Sequence, residues 1–461
     1  MRSRAMRRAT RRYAWDRLKV SFWFAPAVMS LGAIFLVMVM NWVDSLIPNA
    51  MLLNSKLVLS ASGSELRSML IAMAGTILAT AGVVFTLLTL PLSTVAAQYG
   101  SRLLRLFLGD RTTQFVLGMF VGTFVYCMAA ATSIPYGDVV REAPQVLMSM
   151  GLLLMLATFG SLILLVQHIS TMLQAPQIAA AAGAELLEVV QSEIRDETGN
   201  VAKETSLPEA GTPAVPNTIA VEKTMAESEG YPVRVEGTGY IQYIDPEYML
   251  TLAGEKDLVI RLLRKPGAFV WHGEVVALVW PAGRIDQQVD RQLRLAFRLG
   301  NQRTPTQDVE YAVNQLVEMA VRAMSPAIND PFTAMTCLDY QAQGLALMAQ
   351  KGRESPHIYD RESRLRLIFE PLPFAQLLNS AFDMLRHASC DNATVLLHML
   401  EVIEAIIRET KLPERRQLLL QHASQVLAES QAGALTEHDR QLIQCSVEAM
   451  QSKLNILEQK G

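Results

Sequence analysis

The sequence predicts an α-helical membrane protein with four transmembrane helices, followed by an α+β cytoplasmic domain that contains a small β module and a helical bundle. Two observations lead to this fold class. The chain has 461 residues, of which 51% are hydrophobic and only 18% are charged, an unusual balance for a soluble protein. The charge is also divided: residues 1–170 carry 14 basic and 6 acidic side chains, net +8, whereas residues 171–461 carry 27 and 38, net −11.

The four predicted spans are the uncharged apolar stretches at residues 20–43, 68–101, 112–137 and 143–168. Together they define a transmembrane domain over residues 20–170, because about 20 helical residues cross a hydrocarbon core of about 30 Å. Residues 1–19 form a basic tail with eight Lys and Arg residues and one acid. Basic segments stay in the cytoplasm, so we expect both termini there. A signal or transit peptide is disfavoured, because the apolar run is too long.

The second predicted span has an uninterrupted seam of small residues. In alternating steps of four and three, all ten positions are Gly, Ala, Ser or Thr: Ser68, Ala72, Gly75, Ala79, Gly82, Thr86, Thr89, Ser93, Ala96 and Gly100. Such a seam either lets helices pack closely or lines a hydrated pore with hydroxyls and open space. We take Gly75, Ala79, Gly82, Thr86, Thr89 and Ser93 as the candidate pore or helix-packing residues, and both interpretations stay open.

Two further features flank this seam. Pro91 removes a backbone donor and predicts a kink in the second span. Arg102, Arg105 and Arg111 follow it; they either concentrate anions at the inner mouth of a channel or simply set the topology. No carboxylate, lysine or arginine lies deep inside a predicted span, which disfavours a proton-coupled carrier or pump.

The cytoplasmic part divides into three. Residues 171–230 read as a helix, over 179–194, and a flexible linker. Residues 231–281 read as the β module, with strands at 233–235, 239–244, 258–263 and 269–280. Residues 282–461 read as helical, with a helix over 314–325. A stiff corner at 325–331 ends in Asp330 and Pro331, which begin the next helix; the corner is either architectural or a ligand or partner contact.

Near the C-terminus, Val395, Met399, Val402 and Ile406 predict one helix. Thr436 and Asp439 predict the capping box of another, with an apolar stripe at Leu442, Val447, Met450, Leu454 and Leu457.

Catalytic and metal-binding motifs are absent from the sequence. The four cysteines are widely separated, which disfavours disulfides or a structural zinc site. Asp383, His387 and Cys390, with His398 or Asp391, are the nearest approach to a metal face, but helix-surface positions explain them better. We therefore predict no enzymatic activity, no cofactor, no metal and no nucleic-acid partner.

The passages LSTVAAQYGSRLLRLFLGDRTTQFVLGMFVGTFVYC and RAMSPAINDPFTAMTCLD, with GYIQYID and GAFVWHGEVVALVWP between them, resemble a bacterial family of predicted membrane proteins, the domain of unknown function 2254. The resemblance covers most of the chain and implies a bacterial inner-membrane location with this four-span layout. It implies no activity, so no residue takes a role from it.

The leading functional hypothesis is an oligomeric channel or passive permeation protein with a regulatory or assembly domain in the cytoplasm. Its partners are membrane lipid and further copies of the chain, and the permeant ion or solute is unknown. The alternative is a membrane-anchored sensor or scaffold whose spans only pack together.

Overall fold

The computed structural model describes residues 23–46, 63–98, 110–134, 145–172, 174–199, 225, 228–351, 355–360 and 362–458. The chain divides into two compact units after Ile178. The first unit contains the helices α1 (Phe24–Leu46), α2 (Gly63–Gln98), α3 (Arg111–Ser133) and α4 (Gln145–Met172). All four contain a segment long and apolar enough to cross a membrane, which confirms the prediction of four apolar helices of spanning length.

Helix α3 is the central helix of the first unit and contacts α1, α2 and α4. Gly118 and Gly122 form a GxxxG pair in α3 and lie against α1. A Cβ added at Gly118 would overlap the Met29 sulfur, and one at Gly122 would lie 3.4 Å from the Met29 carbonyl oxygen. Small residues allow this close approach in a membrane, where helices associate by van der Waals contact. The two glycines of α3 therefore allow close packing between α3 and α1 of the same chain.

Hydroxyl groups make two buried links to α4. The Thr123 and Thr158 hydroxyls lie 2.8 Å apart, and the Tyr126 hydroxyl donates to the Leu147 carbonyl at 2.8 Å. Polar groups at membrane depth have no water to bond with, so each needs a partner inside the protein. These bonds fix the register of α3 against α4.

Carboxylates join the helix ends. Asp44, in the last turn of α1, accepts hydrogen bonds from the backbone N–H groups of Val146 (3.0 Å) and Leu147 (2.9 Å) at the start of α4. Asp110 caps α3 by accepting from the Thr113 N–H at 2.7 Å, and the same oxygen lies 3.0 Å from His168 Nε2 near the end of α4. The predicted first span ended before Asp44, which α1 includes.

The strands of the second unit form two sheets. They are β1 (Tyr231–Arg234), β2 (Gly239–Ile244), β3 (Val259–Leu262), β4 (Phe269–Val270), β5 (Val275–Trp280), β6 (Phe297–Gly300), β7 (His357–Tyr359) and β8 (Leu365–Ile368). One sheet has the order β1-β5-β3-β8-β7 and the other β4-β2-β6. All pairings are antiparallel except β3 with β8, which is parallel. Alternate strand residues form the core between them, including Val233, Ile241, Ile260, Val276 and Leu367.

The β module is therefore not confined to residues 231–281. β6, β7 and β8 come from the region predicted to be helical, and the predicted strand at 269–280 is two strands, β4 and β5, which belong to different sheets. These three strands have only three or four residues each, too few for a period-two pattern to stand out from helical ones.

The helices of the second unit are α5 (Ala175–Gly199, which begins just before the unit boundary), α6 (Pro246–Lys256), α7 (Gln287–Leu295), α8 (Val309–Ala323), α9 (Pro331–Gln350), α10 (Phe374–Ala388), α11 (Ala393–Glu409), α12 (Pro413–Ala432) and α13 (Glu437–Glu458). Helices α8 to α13 pack on one another as a bundle. Asp330 caps α9 by accepting from the Thr333 N–H at 3.1 Å, as predicted.

Two further sequence predictions meet different outcomes in the bundle. Val395, Met399, Val402 and Ile406 are all buried in α11, as their spacing predicts. In α13 the buried stripe runs through Ile443, Val447 and Met450, whereas the predicted Leu442 is 43% exposed. The side chains of Leu454 and Leu457 lie outside the described part.

Arg366 links strand β8 to the residue after β7 and to the two residues before β3. This β8 side chain is buried, and its guanidinium donates to Asp360 and Asp257, each at 2.8 Å, and to the Leu258 carbonyl at 3.3 Å. Hydrogen bonds from Arg366 and Arg284 lower the pKa of Asp257. Burial raises the pKa of Asp360, but hydrogen bonds from the Arg364 N–H and Arg366 outweigh it and lower that pKa.

We expect the substitution Asp44→Ala to destabilise the first unit by about 2–3 kcal/mol, because it leaves two backbone N–H groups of α4 without an acceptor. Asp44→Asn keeps one acceptor oxygen, so we expect it to destabilise the first unit about half as much as Asp44→Ala. The measurement is thermal unfolding of the full chain in mild detergent. Equal midpoints for wild type and Asp44→Ala would contradict the structural role of this cap.

Replacing Arg366 by Met should lower the free energy of unfolding by about 2–3 kcal/mol at neutral pH, since two carboxylates lose a charged donor. Their lowered pKa values stabilise the fold above about pH 4, and this contribution is lost as pH falls through the folded values. The deficit of the variant should therefore shrink in acid. Chemical denaturation of the full chain across pH measures both effects. Arg364→Met, which removes an exposed pair with Glu362, is the control and should cost under about 1 kcal/mol.

Candidate functional site

The small-residue seam of α2 faces outward from the chain. All six candidate residues, Gly75, Ala79, Gly82, Thr86, Thr89 and Ser93, are exposed. The opposite face of α2 is buried in the first unit, through Leu66, Leu70, Met73, Ala74, Ile77 and Val84. Helix α2 therefore has one face committed to its own chain and one face without a partner in the described part of that chain.

The glycines of the seam have open space in front of them. A Cβ added at Gly75 or Gly82 would meet no atom within 4 Å. By contrast, Gly118 and Gly122 on α3 lie directly against Met29. Among the residues that the structure describes, none packs closely against Gly75 or Gly82.

The threonine hydroxyls beside the seam bond to their own helix. Thr86 Oγ1 donates to the Gly82 carbonyl at 3.1 Å, and Thr89 Oγ1 donates to the Thr86 carbonyl at 3.0 Å. Thr76 and Thr80, on the neighbouring face, bond four residues back in the same way. A hydroxyl has one donor and two acceptor lone pairs, so each of these oxygens keeps acceptor capacity after its hydrogen is used.

The other predicted features of this region are only partly described. Helix α2 continues past Pro91 to Gln98, but the Pro91 side chain lies outside the described part, and the kink stays a prediction. Arg102 and Arg105 are also outside it, whereas Arg111 is the exposed first residue of α3. The basic inner mouth therefore stays a prediction as well.

Sequence reasoning missed Asp44 and the contact between Asp110 and His168. A signal for the first existed: α4 begins after Pro144 with no Ser, Thr, Asp or Asn immediately before it, so its N–H groups need an acceptor from elsewhere. Asp44, near the end of α1, supplies it.

The side chains of the partial metal face lie apart. Asp383 bonds Arg386 at 3.1 Å, His387 contacts Glu429 at 2.8 Å, and His398 contacts Asp339 at 2.7 Å. Within the described ranges, no group of three or more His, Cys, Asp or Glu side chains is placed to hold a metal ion. His387 and His398 link helices of the bundle, whereas the Asp383–Arg386 pair lies within α10.

The chain matches known proteins over most of its length. A family model described as "Predicted membrane protein (DUF2254)" matches residues 19–405. Uncharacterized proteins of Mycobacterium bovis and Mycobacterium tuberculosis are each 25% identical to it over 398 residues, which cover 84% of this chain and 72% of theirs. No solved structure matches the chain. Because the family model spans well over half of the sequence, the chain belongs to the DUF2254 family of predicted membrane proteins.

Proposed function

We propose that the chain forms an oligomeric, passive permeation pathway in the bacterial inner membrane, with both termini in the cytoplasm. In this arrangement the seam of α2 faces the axis between identical copies, and the second unit assembles or regulates the complex without enzymatic activity. The observation that carries the proposal is the outward direction of the seam. Small residues on a membrane helix favour close helix contact, and the described part of the chain leaves six of them exposed.

The chemistry of the seam fits a hydrated pathway. The oxygens of Thr86 and Thr89 keep acceptor lone pairs because their hydrogens bond to carbonyls of α2. Gly75 and Gly82 leave open space beside them. Rings of oxygen acceptors around an axis can replace part of the hydration shell of a cation or hold water, so the seam itself suits cations or small neutral solutes. The predicted basic inner mouth would instead attract anions, so the flux measurement below includes both kinds of ion.

One observation favours the second candidate, a membrane-anchored scaffold or sensor. Every threonine hydrogen described on this face is already bonded within α2. The seam therefore needs no water, and identical helices can pack through it without leaving a pore. Both candidate functions require an oligomer, and only the permeation pathway conducts.

For the oligomer, Gly82→Leu is the decisive substitution, because no described residue of the same chain lies within 4 Å of a Cβ placed at Gly82. We expect its thermal midpoint to match that of the control Gly160→Leu, a site on α4 with equally open space. Only Gly82→Leu should shift the mass in mild detergent towards the monomer, by at least tenfold in dissociation constant, or about 1.4 kcal/mol. A monomeric wild type at all concentrations would contradict the proposal.

For conduction, the measurement is ion and solute flux through purified protein in liposomes. Thr86→Trp and Thr89→Trp should each reduce flux severalfold, because an indole fills the space at the seam. Ile163→Trp, at an exposed site on α4, is the control and should leave flux unchanged. If the wild type is oligomeric but carries no flux, the scaffold or sensor function is supported. If flux is present and neither Thr86→Trp nor Thr89→Trp reduces it, the pathway does not follow the seam of α2.

A further inference from the structure

A histidine of the bundle is buried between two helices. His422 of α12 is 4% exposed, and its ring lies against Phe382 of α10, with ring centroids 5.6 Å apart. Its Nδ1 has no hydrogen-bond partner in the described part of the chain. Asp383 Oδ1 lies 3.8 Å from it, beyond hydrogen-bonding distance. A buried polar atom without a partner costs free energy, so packing alone does not explain a histidine at this position.

The surroundings of His422 favour its neutral form. Arg386, also buried, donates to the same Asp383 oxygen at 3.1 Å and to Gln425 at 2.9 Å. The carboxylate that could balance a charge on His422 is therefore already paired with a guanidinium. Burial lowers the pKa of His422 from its ordinary value of 6.5; Asp383 opposes this shift and Arg386 adds to it, so that the pKa stays lowered.

The other helices packed on α12 bring no buried charge to this place. Helix α12 also packs against α11 and α13. The buried residues of these two helices, over their described lengths, are all apolar: Val395, Leu396, Met399, Leu400, Val402, Ile403, Ile406 and Ile407 in α11, and Ile443, Val447 and Met450 in α13. Asp383 and Arg386 are thus the charged groups that act on His422.

A second histidine contact joins the same two helices and has the opposite response to acid. His387 Nδ1 of α10 lies 2.8 Å from the Glu429 carboxylate of α12. Both nitrogens of a protonated imidazole are donors, so protonation of His387 keeps this link. The His387 side chain is 61% exposed, and exposed ion pairs contribute little to stability. Any weakening of the contact between α10 and α12 in mild acid therefore points to His422.

We propose that His422 is a pH sensor of the second unit, whose protonation opens the contact between α12 and α10 and lets the charged ring reach water. A histidine with a lowered pKa in the closed state leaves the contact fully stable above about pH 6.5. Below that pH the open state takes up the proton first, so the closing equilibrium constant falls by up to tenfold per pH unit until the pKa of the closed state is reached. The sensor lies within the second unit and does not depend on conduction.

The test measures the distance between nitroxide labels on α10 and α12 in the full chain. Cys390 and Cys445 are replaced by Ser, which leaves the two buried cysteines. Met384→Cys on α10 and Ser424→Cys on α12, both at exposed positions, carry the labels. Labelled chains are diluted with unlabelled ones in mild detergent, so that distances between copies do not contribute. Distances are recorded about one pH unit above and about one below the ordinary histidine value.

We expect one distance at the higher pH and an additional, longer distance at the lower pH. His422→Gln, which is uncharged at both values, should keep the single distance throughout. His422→Phe is a second uncharged variant, which extends the apolar contact with Phe382. His387→Gln is the matched control at the same pair of helices, and it should open in acid like the wild type.

Three results would overturn the sensor. The first is an unchanged distance in the wild type across this pH range. The second is acid opening that persists in His422→Gln and His422→Phe, which assigns it to another group. The third is acid opening that His387→Gln abolishes, which assigns it to His387.

A measurement on the unaltered chain covers the case in which both His422 variants change the distance at the higher pH. Deuterium exchange at the imidazole Cε1 of His422, followed by mass spectrometry across pH, titrates this side chain directly. We expect a midpoint below that of the exposed His387 in the same sample. A midpoint for His422 at or above that of His387 contradicts the proposal.

Discussion

The requirement that every backbone polar group find a partner away from water governs the first unit. Helix α4 begins without a capping residue of its own, and the Asp44 carboxylate of α1 supplies two acceptor oxygens to its N–H groups. At the other end, Asp110 caps α3 and also contacts His168 of α4. Both carboxylates interact favourably with the positive end of a helix. The helices are thus held at their ends by charge and in their middle by the packing of α3.

Helix α2 differs from α3 in where its small residues lie. Helix α3 packs Gly118 and Gly122 against Met29 and bonds the Thr123 and Tyr126 hydroxyls to α4, so these residues have partners within the chain. Helix α2 buries large residues such as Leu70 and Ile77 on one face, whereas the six small residues of its seam are exposed. In a soluble protein an outward glycine and threonine face needs no explanation. In a membrane it is the face that another helix can approach most closely.

Much of the first unit could be predicted from hydropathy, because a span of about 20 apolar residues has few other uses. The direction of the seam could not be predicted, because ten small residues at helical spacing can face either the other helices of the chain or its outer surface. In the second unit, Asp330 and Pro331 predicted a helix start, and α9 begins there. The strands β7 and β8 gave no comparable signal, because their places are set by pairing with a distant strand and by Arg366.

The parallel pairing of β3 with β8 also has a consequence for synthesis of the chain. Ile260 pairs with Leu367, so the five-stranded sheet cannot close until the ribosome has added more than a hundred further residues, including all of α8 and α9. Contacts so distant in sequence form slowly and leave strand edges exposed in the meantime. A fragment that stops after β5 would keep an open edge on β3 and lose part of its core. Any attempt to produce the second unit separately should therefore extend through β8 and the helices that follow it.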